Sequence, residues 1–362
     1  MKALLGDLVN IKTGKLDANQ ADENGKYPFF TCSKEISKIN SYSYDCECVL
    51  IAGNGDLNVK YYNGKFEAYQ RTYILTSIDD NSLLNKYLYW FMNRYIVQLR
   101  SQSIGGVIKY IKLGDLTNIS LNLPTLDVQK KIVGIFESIE RLIVRKVFLL
   151  KVLDDLIKSR FVEMFGDPNM VALNKSIKLS SVAKIITGNT PSRKSLEYYG
   201  DYIEWIKSDN IISTNLYISQ AKEFLSEQGA AKGRVAPKDS LLMTCIAGSI
   251  RSIGNVGICD RSVAFNQQIN AIVLKNNINP LYIYWLLKLF KPSIIANVEM
   301  SLKGIISKSQ LENMLIPIIA SQEEQELFIK FALQINKLKS DVQKSIDETQ
   351  LLMDSLMQEY FG

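Results

Sequence analysis

The chain is written twice, and that duplication restricts its fold more than any other feature. Leu5-Gly-Asp-Leu-Val-Asn-Ile-Lys-Thr-Gly14 returns as Leu179-Ser-Ser-Val-Ala-Lys-Ile-Ile-Thr-Gly188, with the apolar positions and the Thr-Gly kept. Tyr87-Leu-Tyr-Trp90 returns as Tyr282-Ile-Tyr-Trp285, and Leu116-Thr-Asn118 as Leu311-Glu-Asn313. Leu123-Pro124 with Gln129 meets Ile316-Pro317 with Gln322, and Phe165-Gly166 meets Phe361-Gly362. Anchors recurring in one order mark a tandem repeat, and the second copy carries extra residues ahead of its Tyr-x-Tyr-Trp. A length of 362 residues fits this, since about 150 residues make one domain.

Each copy divides into a globule and a long helix. The globules hold short apolar and β-branched runs, such as Val49–Ala52, Tyr73–Thr76 and Asn270–Leu274, punctuated by Gly53-Asn-Gly55, Asn63-Gly64 and Gly188-Asn-Thr-Pro191. Helical patterns follow over 83–99 and 281–290. In the first long helix Ile132, Ile135, Ile139, Leu142, Leu149, Leu153 and Leu156 form a heptad seam, with Lys146 in the gap. Phe136, Ile143, Leu150 and Ile157 make an adjacent apolar stripe that the seam leaves without a partner. The matching seam in the second helix is Phe328, Phe331, Ile335, Leu338, Val342, Ser345, Thr349, Leu352 and Leu356. Pro124 and Pro317 precede the helices, and Gly166 and Gly362 close them. At 1.5 Å per residue each helix is roughly 55–60 Å long.

The expected fold is therefore α+β: two mixed α/β domains in tandem, separated by two long antiparallel coiled-coil helices with an internal pseudo-two-fold. The boundaries read as globule 1–125, helix 126–166, linker 167–176, globule 177–319 and helix 320–362.

Composition excludes much chemistry. Histidine is absent, which removes His-based triads and His-ligated zinc. The five cysteines are odd in number and include no Cys-x-x-Cys pair, so neither a disulfide framework nor a metal site is expected, and the compartment reads as cytoplasmic. The longest apolar run, 314–320, is far too short to cross a bilayer. No Asn-Pro-Pro-Tyr or Asp-Pro-Pro-Tyr occurs, no Asp/Glu-x-Lys triplet, and no Gly-Lys followed by Ser or Thr. No catalytic residue is expected. A net charge of +6 permits a nucleic-acid partner. Two similar but diverged globules held apart by helices suit a ligand with two unlike sites at fixed spacing, and double-stranded DNA is the natural candidate.

At this point the chain resembles the specificity (S) subunits of type I restriction-modification systems, over essentially its whole length. The residues that carry the resemblance are Thr187–Ser192, Tyr202–Ile206, Asp209–Ile211, Ala264–Gln268 and Leu311–Pro317 with Gln322 and Gln325, and in the first copy Ile51–Gly55 and Gly64–Arg71. The resemblance implies a non-catalytic subunit whose two target-recognition domains each read half of a split, asymmetric DNA target. Its spacer helices set the gap and dock two methyltransferase (M) subunits, and translocating endonuclease (R) subunits can join. No cofactor belongs to the chain itself: S-adenosylmethionine is expected on the methyltransferase, and ATP and Mg on the nuclease. The first recognition domain is expected to begin almost at Met1, without an N-terminal extension. The rival readings are a stand-alone DNA-binding regulator and a coiled-coil interaction scaffold.

Base and phosphate contacts need forked or cationic side chains on loops. In the first copy these are Lys60, Tyr61 and Lys65 in a hairpin-like basic stretch, then Gln70, Arg71 and Lys109. In the second they are Arg193, Lys194, Lys207, Arg251, Gln267, Gln268 and Lys303. Part of the stripe of Phe136, Ile143, Leu150 and Ile157 is expected to dock the methyltransferase, the alternative being that it packs against the chain's own recognition domains. Tyr87, Tyr89, Trp90, Tyr282, Tyr284 and Trp285 are expected in the core.

Overall fold

A computed structural model describes residues 2–103, 109–170, 175–275, 278–296, 298 and 304–362. It is a mixed α+β structure with tandem domains. The chain forms two compact units, Met1–Leu149 with Val342–Gly362 and Leu150–Asp341.

The first unit holds a six-stranded sheet in the order Val9–Thr13, Thr72–Ser77, Tyr44–Ala52, Val59–Ala68, Tyr27–Phe30 and Ser37–Ile39. Neighbours are antiparallel except that the end of Val59–Ala68 runs parallel to Tyr27–Phe30. The strand Tyr44–Ala52 is central and covered on both faces. Val49 and Ile51 pack with the helix Asn85–Gln102, while Cys48 and Leu50 pack with Phe30 and Phe66. That is why its second half, residues 48–52, is a continuous apolar run rather than an alternation.

The second unit repeats this plan with two strands broken. Its counterpart of Tyr44–Ala52 is split into Val235–Ala236 and Leu241–Thr244, that of Val59–Ala68 into Val256–Ile258 and Val263–Phe265, and the single sheet becomes two of four strands. Between the pieces Cys259 donates its N–H to Ser240 O, and Arg261 pairs with Glu204 and Asp260. The parallel pairing survives, with Trp205 opposite Ala264. The helix Pro280–Ala296 buries Tyr282, Tyr284 and Trp285, as Asn85–Gln102 buries Tyr87 and Trp90; Tyr89 is half-buried. Among the described residues no helix is long and apolar enough to cross a membrane.

The long helices are Leu126–Phe165 and Gln322–Phe361, 40 residues each. Within the first unit Phe136 meets Tyr360 and Phe361, and Lys146 meets Ser345 and Thr349. Within the second, Asp154 meets Lys339 and Phe161 meets Phe328. In each unit the partners run in opposite order.

The inward rows correct the sequence reading. In the first helix they are Gln129, Ile132, Phe136, Ile139, Ile143, Lys146, Leu150, Leu153, Ile157 and Arg160, all buried or half-buried. The second helix repeats them as Gln325, Phe328, Ala332, Ile335, Lys339, Val342, Ile346, Thr349, Met353 and Leu356. The stripe expected to dock a partner therefore lies inside: Phe136 and Ile157 are 0% exposed, with Ile143 and Leu150 beside them. Phe136 stacks on Trp90 at 4.9 Å and on Phe361 at 5.9 Å. Of the residues taken for the seam, Ile132, Ile139 and Leu153, and Phe328, Ile335, Val342, Thr349 and Leu356, do lie inside, whereas Ile135, Leu142, Leu149 and Leu156 face out at 36, 44, 42 and 44% exposure, with Leu338 and Leu352 likewise exposed. Polar members disguised the true seam. Lys146 is satisfied there by Ser345 O at 2.9 Å, Ser345 Oγ at 2.8 Å and Thr349 Oγ1 at 2.7 Å.

The matching of the copies also shifts. Gln129 corresponds to Gln325, not Gln322. Each buried amide donates to the carbonyl five residues before it, Pro124 or Ala320, and accepts an N–H from the start of the globule's main helix, Leu84 or Asn279.

In the second unit Lys288 lies over the Trp285 ring at 4.7 Å and donates to Tyr284 Oη at 3.2 Å, near Asp154, Lys158 and Lys339. Burial pushes its ammonium down to about 8. Below that value the folded state carries a charge it disfavours; the penalty lifts as pH rises toward 10.5, the ordinary value. Lys288→Met should therefore stabilise the protein most at pH 8 and below, with the gain fading toward pH 10.5 in urea melts. The corrected seam makes a second prediction. Phe136→Ala should cost about 3–5 kcal/mol and Leu142→Ala less than about 1 kcal/mol, read by chemical denaturation.

Candidate nucleic-acid interface

One backbone arrangement occurs in both units, at the loop-bearing end of the sheet. In the first, Thr72 N–H closes a tight turn on Tyr69 O at 2.8 Å, leaving Gln70 and Arg71 at its tip. In the second, Ile269 N–H closes on Asn266 O at 3.1 Å, leaving Gln267 and Gln268. Tyr69 N–H donates to Phe30 O at 2.9 Å, and Asn266 N–H to Ile206 O at 3.0 Å. The turn's last carbonyl then accepts the next loop: Gly53 N–H on Arg71 O at 2.8 Å, Cys245 N–H on Gln268 O at 2.8 Å. That loop accepts the following strap: Ile111 N–H on Gly53 O at 3.0 Å, Ile306 N–H on Cys245 O at 2.8 Å. Each turn thus sits beside a hairpin loop (Gly53–Asn58 or Cys245–Asn255) and a strap.

The Thr-Gly of the repeat is part of this frame. Gly14 N–H donates to Thr72 O and Gly188 N–H to Ile269 O. A Cβ on Gly14 would lie 2.1 Å from Ala68 O, and one on Gly188 2.1 Å from Asn266 O. Only glycine lets the first strand pass so close beneath the turn.

The frame gathers some expected side chains and not others. Gln70 and Arg71 are exposed and, with Thr13, Gly53, Tyr73 and Ile111, line a cavity of about 250 Å³. Lys109 is exposed next to them, its carbonyl held by Gly55 N–H at 2.9 Å. Among the described residues the Arg71 and Lys109 side chains have no hydrogen bond or ion pair. In the second unit Gln267 is exposed and Gln268 half-buried, and Arg251 is exposed in the loop that replaces Gly53–Asn58. Lys194 is exposed too; Lys303 lies outside the described residues.

Four expected contacts are instead occupied internally. Residues 58–65 are not a hairpin: Lys60, Tyr61 and Lys65 belong to the single strand Val59–Ala68, with Lys60 and Lys65 on opposite faces. Lys60 donates to Ser33 O at 2.6 Å and to Asn58, and burial lowers its pKa. Tyr61 donates to Glu47 at 2.7 Å, and burial together with that bond raises its pKa. Lys65 stays exposed over the Tyr42 ring. Arg193 stacks on Tyr199 and Trp205 at 4.7 and 4.9 Å and, with Lys207, clamps Glu223, whose pKa these partners lower, Lys207 most. Ser208 and Asn266 lie in polar segments that the sequence offers as DNA contacts, and here they orient Gln268 instead; Asp17, which holds Gln70, carried no signal.

Among the described residues no cluster of acidic side chains and cysteines could hold a metal ion, and the cysteines are unpaired.

A family model described as the type I restriction modification DNA specificity domain matches residues 2–146 and 173–348. The EcoDI type I restriction enzyme specificity subunit of Escherichia coli is 47% identical over 121 residues, which is 33% of this chain and 27% of that protein. The EcoR124I/EcoR124II specificity subunit of the same organism is 20% identical over 287 residues, 76% of this chain and 70% of that one. The match thus spans about a quarter of the EcoDI protein's length and a larger part of the EcoR124I/EcoR124II protein. Two solved structures share the fold: the S subunit of a type I restriction-modification system from M. genitalium (TM-score 0.59, 15% identity, 100% of this chain and 96% of that one), and a chain from a study of complex assembly and conformational transition in a type I R-M system (TM-score 0.64, 14% identity, 100% and 97%).

Gly14→Ala and Gly188→Ala should each destabilise their own unit by about 1–3 kcal/mol, because the backbone must part to admit the methyl group. Differential scanning calorimetry, with limited proteolysis to locate the loosened unit, checks this.

Proposed function

Since the chain belongs to the family of the type I restriction-modification DNA specificity domain, we propose that it is the DNA-recognition subunit of such a complex. It performs no catalysis of its own. The recognition domains are residues 1–125 and 177–319; the helices 126–166 and 320–362 pair antiparallel as a coiled-coil spacer about an internal pseudo-two-fold, with 167–176 as linker. Each domain reads one half of a split target, and the helices set the gap.

The observation that carries this reading is the shared backbone frame bearing different side chains. A duplicated scaffold with unlike tips is what recognition of two unlike half-sites requires. Gln70, Arg71 and Lys109 in the first domain, and Lys194, Arg251, Gln267 and Gln268 in the second, face the duplex. Lys65 stands at a margin as a phosphate contact. Two methyltransferase subunits, carrying S-adenosylmethionine, dock on the helices through the row left exposed (Ile135, Leu142, Leu149 and Leu156) and supply the adenine methylation; endonuclease subunits with ATP and Mg complete the nuclease form.

The experiment is a long-read methylation map of cells with and without this gene. The reading predicts one split adenine-methylated motif that disappears on deletion and returns with the gene. An unchanged map, with the chain and its methyltransferase both expressed, contradicts it.

A further inference from the structure

The two copies place Arg71 and Gln268 in one and the same slot. Both are the last residue of the tight turn. Both give their carbonyl to the neighbouring hairpin loop, and both are followed by the residue, Thr72 or Ile269, whose carbonyl receives the glycine of the Thr-Gly. The side chain in this slot leaves a backbone held on either side.

What the slot offers is fixed by local bonds. Arg71 presents a guanidinium with no hydrogen bond or ion pair among the described residues, near the Tyr73 hydroxyl. Gln268 is locked through Asn266. The backbone N–H of residue 268 can only donate, so Asn266 Oδ1 must face it, at 3.1 Å. Asn266 Nδ2 is then turned toward Gln268 Oε1, also at 3.1 Å, and Ser208 Oγ donates to the same oxygen at 3.3 Å. The amide oxygen of Gln268 is consumed, and its Nε2 donors remain. Gln70, next to the first slot, is oriented oppositely: its Nε2 donates to the Asp17 carboxylate at 2.7 Å, which can only accept, so its oxygen faces out.

We infer that residues 71 and 268 are the corresponding base-reading positions of the two domains, each offering donors only, to acceptors on base edges in the major groove. The inference rests on the DNA-recognition reading above. Arg71, with its planar fork, selects a guanine through O6 and N7. Gln268 presents a single amino group and selects an acceptor in the other half-site. Asp17, Asn266 and Ser208 are positioning residues.

The test uses the full chain co-expressed with its methyltransferase, read by long-read methylation mapping. Three variants discriminate. Arg71→Lys keeps the charge and loses the fork. Arg71→Gln replaces the fork with an amide that has no Asn266 equivalent to lock it, since Tyr69 stands there. Gln268→Glu keeps both accepted hydrogen bonds and removes the donors. The expected result is that both Arg71 variants lose about ten- to hundredfold preference for one guanine in one half-site, while the other half and the gap stay unchanged. Gln268→Glu must change a position in the opposite half only. An Arg71→Lys motif identical to wild type marks Arg71 as a phosphate contact and overturns the inference. So does a wild-type motif with no guanine in the half that Arg71 variants affect, or Arg71 and Gln268 variants altering the same half. Loss of all methylation by the Arg71 variants, with the complex intact on size-exclusion chromatography and melting as wild type, also overturns it. If wild type yields no split motif at all, the recognition reading itself has failed.

Discussion

A buried glutamine at the start of each long helix decides which face of that helix looks inward. Gln129 and Gln325 are almost wholly buried, and each ties the helix start both to the carbonyl before it and to the first turn of the globule's main helix. An amide buried this deeply is costly unless its groups are bonded, so the helix cannot rotate about its axis to bury a more apolar face. Once Gln129 points inward, the alternating three- and four-residue step carries Ile132, Phe136, Ile139 and Ile143 in with it. Ile135 and Leu142, apolar as they are, are carried out.

The same constraint explains the lysine in the seam. Lys146 arrives inside because it lies on that row, and all three of its protons find oxygens on the opposite helix segment. An apolar residue would tolerate sliding by a turn; an ammonium that must meet Ser345 and Thr349 does not. A polar group at such a position specifies register at some cost in stability. Lys339 plays the corresponding part in the second unit through Asp154.

The broad fold was legible because the duplication was legible. Repeated anchors located two globules, two helices and the core tyrosines and tryptophans, and the alternation of short apolar runs with turn residues gave the central strands. The seam was read only in part, every second member on the first helix being misplaced, because apolar periodicity weighs only hydrophobicity. Two equally apolar rows lay side by side on the first helix, and the polar residues Gln129 and Lys146, which settle the choice, look like interruptions. The candidate interface was legible only in part. Gln70, Arg71, Gln267 and Gln268 stood out as polar residues following a strand, but their equivalence depends on hydrogen bonds that no residue pattern encodes. Arg193 and Lys207 looked like free cations because Glu223, many residues distant, gave no sign of holding both. The hairpin expected at residues 58–65 failed because Gly64, at φ 132°, sits within a strand rather than in a turn.

On the proposed reading, a frame held by backbone bonds carries two unlike readings in a few side chains at its tips, and the helices set the spacing between them. The most direct measurement is to remove one heptad from each helix, residues 144–150 and 343–349, which takes out Lys146 together with Ser345 and Thr349 and leaves the 3-4 step intact. The methylation motif of the shortened protein is then read. The account predicts both half-sites unchanged and the gap shorter by about three base pairs, since seven helical residues span about 10.5 Å and base pairs stack about 3.4 Å apart. A methylated motif with its original gap would contradict the claim that the helices set the spacing.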